Sequence, residues 1–197
     1  MLPWGHLAVG YLLYSPLART RFERPPDARA ILLLTFGTQF PDLVDKPLAW
    51  GLDVLPAGRT LAHSLLTVAA ITTLVYAYSK RRGSTYLGLA FAVGYVSHPF
   101  ADALFPLLNG QYQYAAYLFW PLFGLPSWVG MRIVLVEPLE VLLGAEPIDV
   151  DITIHVLTEL VLVVLAVRTW RHDGAPAVAA LRNRLDSTRE PGSGSDR

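Results

Sequence analysis

Five side chains able to ligate a metal stand at matching distances from basic residues along this chain. His6 lies 13 residues before Arg19, Asp42 13 after Arg29, His63 17 before Lys80, His98 16 after Arg82 and His155 13 before Arg168. At about 1.5 Å per helical residue these separations become roughly 20 to 25 Å. If the basic residues mark one face of a membrane, the five ligand-type side chains fall in one layer near the other face. Two of them extend into helical pairs: His98 and Asp102 at i and i+4, and His155 and Glu159 at the same spacing, which a helix stacks on one face. Asp42 follows Pro41, and His63 follows Arg59 by one helical turn.

Taken singly, each group has a plain explanation. A lone histidine near a helix end is more often hydrogen-bonded or solvated than a ligand. Asp45 and Asp53 read as loop or interface residues, Arg59 as a headgroup anchor, Glu159 as a partner for another polar side chain, and Glu137 and Glu140 as solvated edges. Together the balance shifts, because an ionisable group in the bilayer costs about 2 to 3 kcal/mol or more unless paired or hydrated. A shared divalent cation supplies a common reason for several in one layer. With no cysteine in the chain, imidazole and carboxylate ligands suit zinc, and also manganese or iron, as one to three ions. A proton or ion path would string such groups across the membrane depth, so one layer favours a site.

The elements that must position these residues follow from composition and patterning. Of 197 residues, 53% are hydrophobic and only 16% charged, which places the chain among membrane proteins. Zero formal net charge and short separate arginine groups give no positive stripe for phosphate backbones, so no nucleic-acid partner is expected. The absence of cysteine excludes disulfide scaffolds, thiolate zinc sites and cysteine nucleophiles. Residues 60–79 and 85–104 are each long and apolar enough to cross a hydrocarbon core of about 30 Å. Residues 152–170 are nearly as good, and residues 4–17 and 28–40 are shorter apolar stretches that end at polar groups. The first residues lack a basic segment ahead of the apolar stretch and contain His6, unlike a cleaved signal peptide.

Basic residues collect at Arg19, Arg21, Arg24 and Arg29, at Lys80, Arg81 and Arg82, and at Arg168, Arg171, Arg182 and Arg184. All three groups are cytoplasmic at once if five spans alternate from an outside N-terminus and residues 106–150 make no net crossing. That region, rich in aromatic residues and proline, is expected to form an interfacial cap over the ligand layer, its apolar run 133–143 being interrupted by Glu137-Pro138. Pro99 is expected to kink or restart the helix that carries His98. The expected fold is therefore all-α, an integral membrane helical bundle of about five spans: a membrane-embedded domain over 1–171 with the cap at 106–150, then a cytoplasmic tail over 172–197. The tail holds an amphipathic piece at 175–185, and its last dozen residues lack apolar surface to bury.

These residues resemble the LexA-binding, inner-membrane-associated hydrolase family, also described as membrane-bound metal-dependent hydrolases. The resemblance rests on His6 with Gly10, Pro41-Asp42, Arg59-Thr60-Leu61-Ala62-His63-Ser64, Gly94-Tyr95-Val96-Ser97-His98 with Asp102, and Trp120-Pro121, over about two thirds of the chain. The family's second acidic residue, two after the aspartate of the Pro-Asp pair, is Val44 here, with Asp45 one place later. The order His6, Asp42, His63, His98 with Asp102, and His155 with Glu159 is also similar to the ligand series of zinc-dependent phospholipase C enzymes. That likeness implies an all-helical fold, two or three metals and phosphoester hydrolysis. Those enzymes are soluble and use an N-terminal tryptophan as a ligand, whereas Trp4 here is internal.

The resulting expectation is a metal-dependent membrane hydrolase of the inner membrane, its site near the extracytoplasmic face. His6, Asp42, His63, His98, Asp102 and His155 are the expected metal ligands, and Arg59 and Glu159 the expected catalytic side chains, with Arg59 neutralising an anionic group of the substrate. A metal-activated water would attack a phosphorus or carbonyl centre of an amphiphilic substrate such as a lipid phosphoester, and membrane lipids are the expected surroundings. Two alternatives stand beside it: a non-catalytic membrane adaptor or regulator with a structural metal, and a small transporter.

Overall fold

The computed structural model describes residues 1–125 and 150–189. Within them lie six α-helices and no strand: α1 (Pro3–Phe22), α2 (Ala28–Lys46), α3 (Leu65–Arg81), α4 (Thr85–Leu108), α5 (Val150–His172) and α6 (Pro176–Arg189). A π-helical turn, Pro47–Gly51, continues α2, and a 3-10 segment, Tyr112–Phe119, follows α4. The all-α expectation holds over these residues. The apolar run 133–143, Glu137, Glu140, the rest of the cap beyond residue 125, and residues 190–197 of the tail lie outside the described residues.

Local signals set the helix ends. Pro3 sits in the first turn of α1, where its missing N–H costs nothing. Glu23 ends that helix in the left-handed region, at φ 55°. Asp27 caps α2 by accepting the N–H of Ala30 at 2.8 Å, and Ser64 caps α3 by accepting that of Leu66 at 3.3 Å. Arg19 and Arg21 close α1, Lys80 and Arg81 close α3, and Arg171 and His172 close α5, each near the negative end of a helix dipole.

Three boundaries differ from the sequence expectation. The second helix runs through Pro41 to Lys46 instead of ending near Phe40. The third begins at Leu65, because residues 60–64 fold as turns. The fourth passes Pro99 and Pro106 without restarting and ends at Leu108.

The fourth helix is the hub, packed against α1, α2 and α3, while α5 leans on α1. Its contact with α2 is closest where two glycines meet. A Cβ on Gly94 would lie 2.5 Å from the Leu34 carbonyl oxygen, and one on Gly37 would lie 2.5 Å from that of Phe91. Only glycine permits that backbone approach. Around it, Tyr11, Tyr14, Leu34 and Ala90 form one buried cluster, and Val68, Phe91 and Tyr95 another. By contrast, Ile154, Val156, Leu157, Leu160, Val161, Val164 and Leu165 of α5 are exposed. Residues Thr153–His172 make the one described helix long and apolar enough to cross a membrane, with mean hydropathy 1.6.

Candidate metal centre

The extension of α2 past Pro41 puts Asp42 and Asp45 one turn apart on a single helix. Asp45 is fully buried and acts as an anchor for the turn before α3. Its Oδ2 accepts the N–H of Thr60 at 2.7 Å and that of His63 at 3.3 Å, and its Oδ1 accepts that of Ala62 at 2.8 Å. The hydroxyl of Tyr95 donates to the Ala62 carbonyl at 2.8 Å, fixing the same turn from α4. Here backbone donors are satisfied by a carboxylate instead of a helix ladder, which is why α3 starts late.

The same carboxylate orients an imidazole: His63 Nδ1 lies 2.8 Å from Asp45 Oδ2. An ionised carboxylate only accepts, so Nδ1 carries a proton, and in the neutral ring Nε2 is left with a lone pair. His98 is fixed in the same sense by different chemistry. Its Nδ1 lies 2.6 Å from the carbonyl oxygen of Thr38, an acceptor brought within reach by the Gly37 and Gly94 approach. Both rings are fully buried, and their Nε2 atoms face each other at 3.2 Å. Two neutral imidazoles in these tautomers have no proton to share between those atoms. A cation between them removes the conflict, and donation of the second ring N–H to a carboxylate or carbonyl is the usual support of a metal-ligating histidine.

Two carboxylates complete the surround. Asp42 Oδ1 lies 3.6 Å from His63 Nε2 and 3.7 Å from His98 Nε2, and Asp102 Oδ2 lies 3.9 Å and 3.7 Å from the same atoms. Ligand atoms about 2.0 to 2.2 Å from a tetrahedral ion are roughly 3.3 to 3.6 Å apart. The observed separations, 3.2 to 3.9 Å, match that spacing with small adjustments. Two overlapping trios have ligand atoms within 4.8 Å of one another: Asp42, His63 and His98, and His6, His98 and Asp102. Each trio could hold a metal ion, and His98 belongs to both.

His6 stacks on His98, with ring centroids 3.7 Å apart and 15° between planes. Its Nε2 is 3.3 Å from Asp102 Oδ1 without hydrogen-bond geometry, and both its ring nitrogens are buried with no hydrogen-bond partner among the described residues. Cations flank the carboxylates from outside. Lys46 Nζ is 2.6 Å from Asp42 Oδ2, Arg59 Nε is 3.0 Å from Asp102 Oδ2, and the Met1 amine is 2.6 Å from Asp102 Oδ1. Arg59 thus meets the site through Asp102, and its side chain is 23% exposed.

His155 and Glu159 pair with each other instead of joining either trio. His155 Nε2 is 3.0 Å from Glu159 Oε1, and its ring stands edge-on to Phe105. Glu159 Oε1 also accepts the Leu2 N–H at 2.9 Å, so the pair sits beside the start of α1. Glu159 Oε2 is buried with no hydrogen-bond partner among the described residues. In the sequence Asp45 reads as a loop or interface residue and Thr38 carries no mark of a role. The spacing from Asp42 to Asp45 becomes a signal only once α2 continues through Pro41, and none existed for a backbone carbonyl. Asp53 lies exposed at φ 53°, away from the cluster.

A family model described as YdjM inner membrane protein matches residues 1–175 of this chain. No curated protein and no solved structure matches it.

Proposed function

The chain belongs to the YdjM inner membrane protein family, and from that premise we propose that it is a metal-dependent membrane hydrolase acting on an amphiphilic phosphoester. The observation that carries the proposal is the pair of buried imidazoles whose Nε2 lone pairs are turned on each other at 3.2 Å by Asp45 and the Thr38 carbonyl. In this reading the five helices α1 to α5 span the inner membrane. Their basic ends lie in the cytoplasm and the ligand layer lies near the extracytoplasmic face, as cytoplasmic accumulation of Lys and Arg supports.

A divalent metal, zinc before manganese or iron, would supply Lewis acidity at that point: a water's pKa lowered toward neutrality and charge drawn from a phosphoryl or carbonyl oxygen. The chain's own residues do the rest. His63 and His98 present fixed lone pairs, and Asp42 and Asp102 present carboxylate oxygens. Arg59, held by Asp102 through Nε, directs its remaining N–H groups to an anionic substrate oxygen. Glu159 Oε2, without a hydrogen-bond partner among the described residues, is the carboxylate oxygen available to take a proton. An interfacial position lets a lipid head reach the layer while its tails stay in the bilayer.

Purified full-length protein is expected to carry stoichiometric metal, to lose it in His98→Ala, and to hydrolyse a phosphoester in a screen of phosphoester and carboxyl-ester lipids. Metal-free wild-type protein with full structure and activity overturns the proposal. The complete burial of His63 and His98 favours a second reading, a closed structural metal site in an adaptor protein. Structural sites hold four protein ligands and catalytic ones keep a water position. Exchangeable water on the bound metal, measured by relaxation of a manganese-substituted sample, separates the two.

A further inference from the structure

At the opposite, basic end of the bundle, α1 and α5 leave a groove of about 450 Å³ lined by Leu12, Ser15, Pro16, Arg19, Arg168, Thr169 and His172. We infer that this groove binds the phosphate of an anionic phospholipid of the cytoplasmic leaflet. The inference rests on α5 crossing the membrane and is independent of the metal centre.

The donors in the groove are distributed unevenly. Ser15 spends its hydroxyl hydrogen on Asp173 Oδ2 at 2.7 Å, and Thr169 spends its own on the Leu165 carbonyl at 2.9 Å. Arg19 is neutralised by Asp173, which accepts from its Nε at 2.9 Å and from Nη2. Arg19 Nη2 also donates to His172 Nδ1, so the proton of that imidazole resides on Nε2, which is left as a donor. Arg168 is exposed and pairs with no carboxylate among the described residues. The groove therefore offers one uncompensated guanidinium, a second guanidinium edge and an imidazole N–H, a set that suits a phosphate.

The apolar part of the lining decides between a lipid and a free anion. Leu12 and Pro16 form one wall. On α5, Leu165 and Val161, one and two turns below Arg168, are exposed and share the helix face of Arg168, the stripe that would meet acyl chains. Basic pockets between membrane helices on the cytoplasmic side are suited to anionic headgroups for this combination of charge and apolar flank.

Full-length protein in a neutral detergent is titrated with phosphatidylglycerol, phosphatidylcholine and inorganic phosphate, and bound lipid is counted by native mass spectrometry. One phosphatidylglycerol is expected to bind in preference to phosphatidylcholine. Its affinity should fall about fivefold in Arg168→Gln. It should stay unchanged in Arg182→Gln, whose side chain is exposed on α6 outside the groove. Wild-type affinity in Arg168→Gln overturns the inference, and equal weakening in both variants replaces the groove with diffuse attraction to a basic surface. Full displacement of the lipid by inorganic phosphate would assign the groove to a free anion and overturn it as well. Metal content read on the same samples keeps a failure of the hydrolase reading separate.

Discussion

Replacing Asp45 with Asn is expected to destabilise the fold and loosen the metal together, because one carboxylate serves both. Its two oxygens accept four N–H groups, from Thr60 at 2.7 Å, Ala62 at 2.8 Å, His63 at 3.3 Å and the His63 ring at 2.8 Å. An asparagine keeps one acceptor and converts the other into a donor, so in either amide orientation an NH2 group is aimed at a buried N–H. An unsatisfied buried donor costs about 1 to 3 kcal/mol, and a hydrogen bond to a charged group contributes about 1.5 to 3 kcal/mol. One bond lost and the others weakened gives a cost of about 3 kcal/mol. At about 2 to 4 °C per kcal/mol for a chain of this size, the melting temperature should fall by about 6 to 12 °C. With the His63 tautomer no longer held by a carboxylate, metal affinity should drop about 10- to 100-fold. Melting in detergent and zinc competition against a chelator, run at a temperature where both proteins are folded, measure the two effects. An Asp45→Asn protein with wild-type melting and wild-type zinc affinity refutes the reasoning. A lower melting temperature with unchanged affinity refutes the link from Asp45 to the imidazole.

Gly94→Ala places a Cβ 2.5 Å from the Leu34 carbonyl oxygen and 3.0 Å from the Thr38 nitrogen, so α2 must move off α4 and carry the Thr38 carbonyl away from His98. Circular-dichroism melting and metal content should both fall, by about 1 to 3 kcal/mol for the first, whereas Gly51→Ala, with no atom within 4 Å, should be near neutral in both. His155→Ala should leave the metal count unchanged, because among the described residues His155 pairs with Glu159 and stands against Phe105 outside both trios; a lost equivalent of metal would place His155 among the ligands. Asp173 gives a pH signature: burial alone would raise its pKa, but the hydroxyls of Ser15 and Tyr11 and the guanidinium of Arg19 hold it below the usual carboxylate range. A depressed folded-state pKa stabilises the protein above the unfolded value of about 3.9 and is lost as pH falls through the folded value. Asp173→Asn should therefore melt below wild type at neutral pH, with the gap closing in acid; a constant gap would show that the charge of Asp173 does not matter.

Much of the cluster was legible because depth in a helical bundle can be counted along a helix. The separations from the basic anchors bring His6, Asp42, His63 and His98 to one level, and the i, i+4 rule adds Asp102; the structure gathers these five. Depth is only one coordinate, however. His155 and Glu159 share the level, yet α5 packs mainly on α1 and meets α4 at Phe105, which turns the pair toward Leu2. Nothing in the distance from Arg168 encodes that azimuth. Asp45 was illegible for a local reason: with α2 expected to stop near Phe40, Asp42 and Asp45 had no shared face, and only the continuation through Pro41 creates it.

The same continuation accounts for the shortened α3. Once Asp45 sits in the core, its charge needs several donors to offset burial, and the N–H groups of Thr60, Ala62 and His63 are free to serve only if those residues stay out of a helix. The chain gives up the first turn of α3 to satisfy the carboxylate, leaving 17 residues from Leu65 to Arg81. Apolar length and site geometry thus compete for residues 60–64. Substitution of Asp45 by a residue with no charge to satisfy removes one side of that competition, so the turn can relax toward helix as His63 loses its orientation.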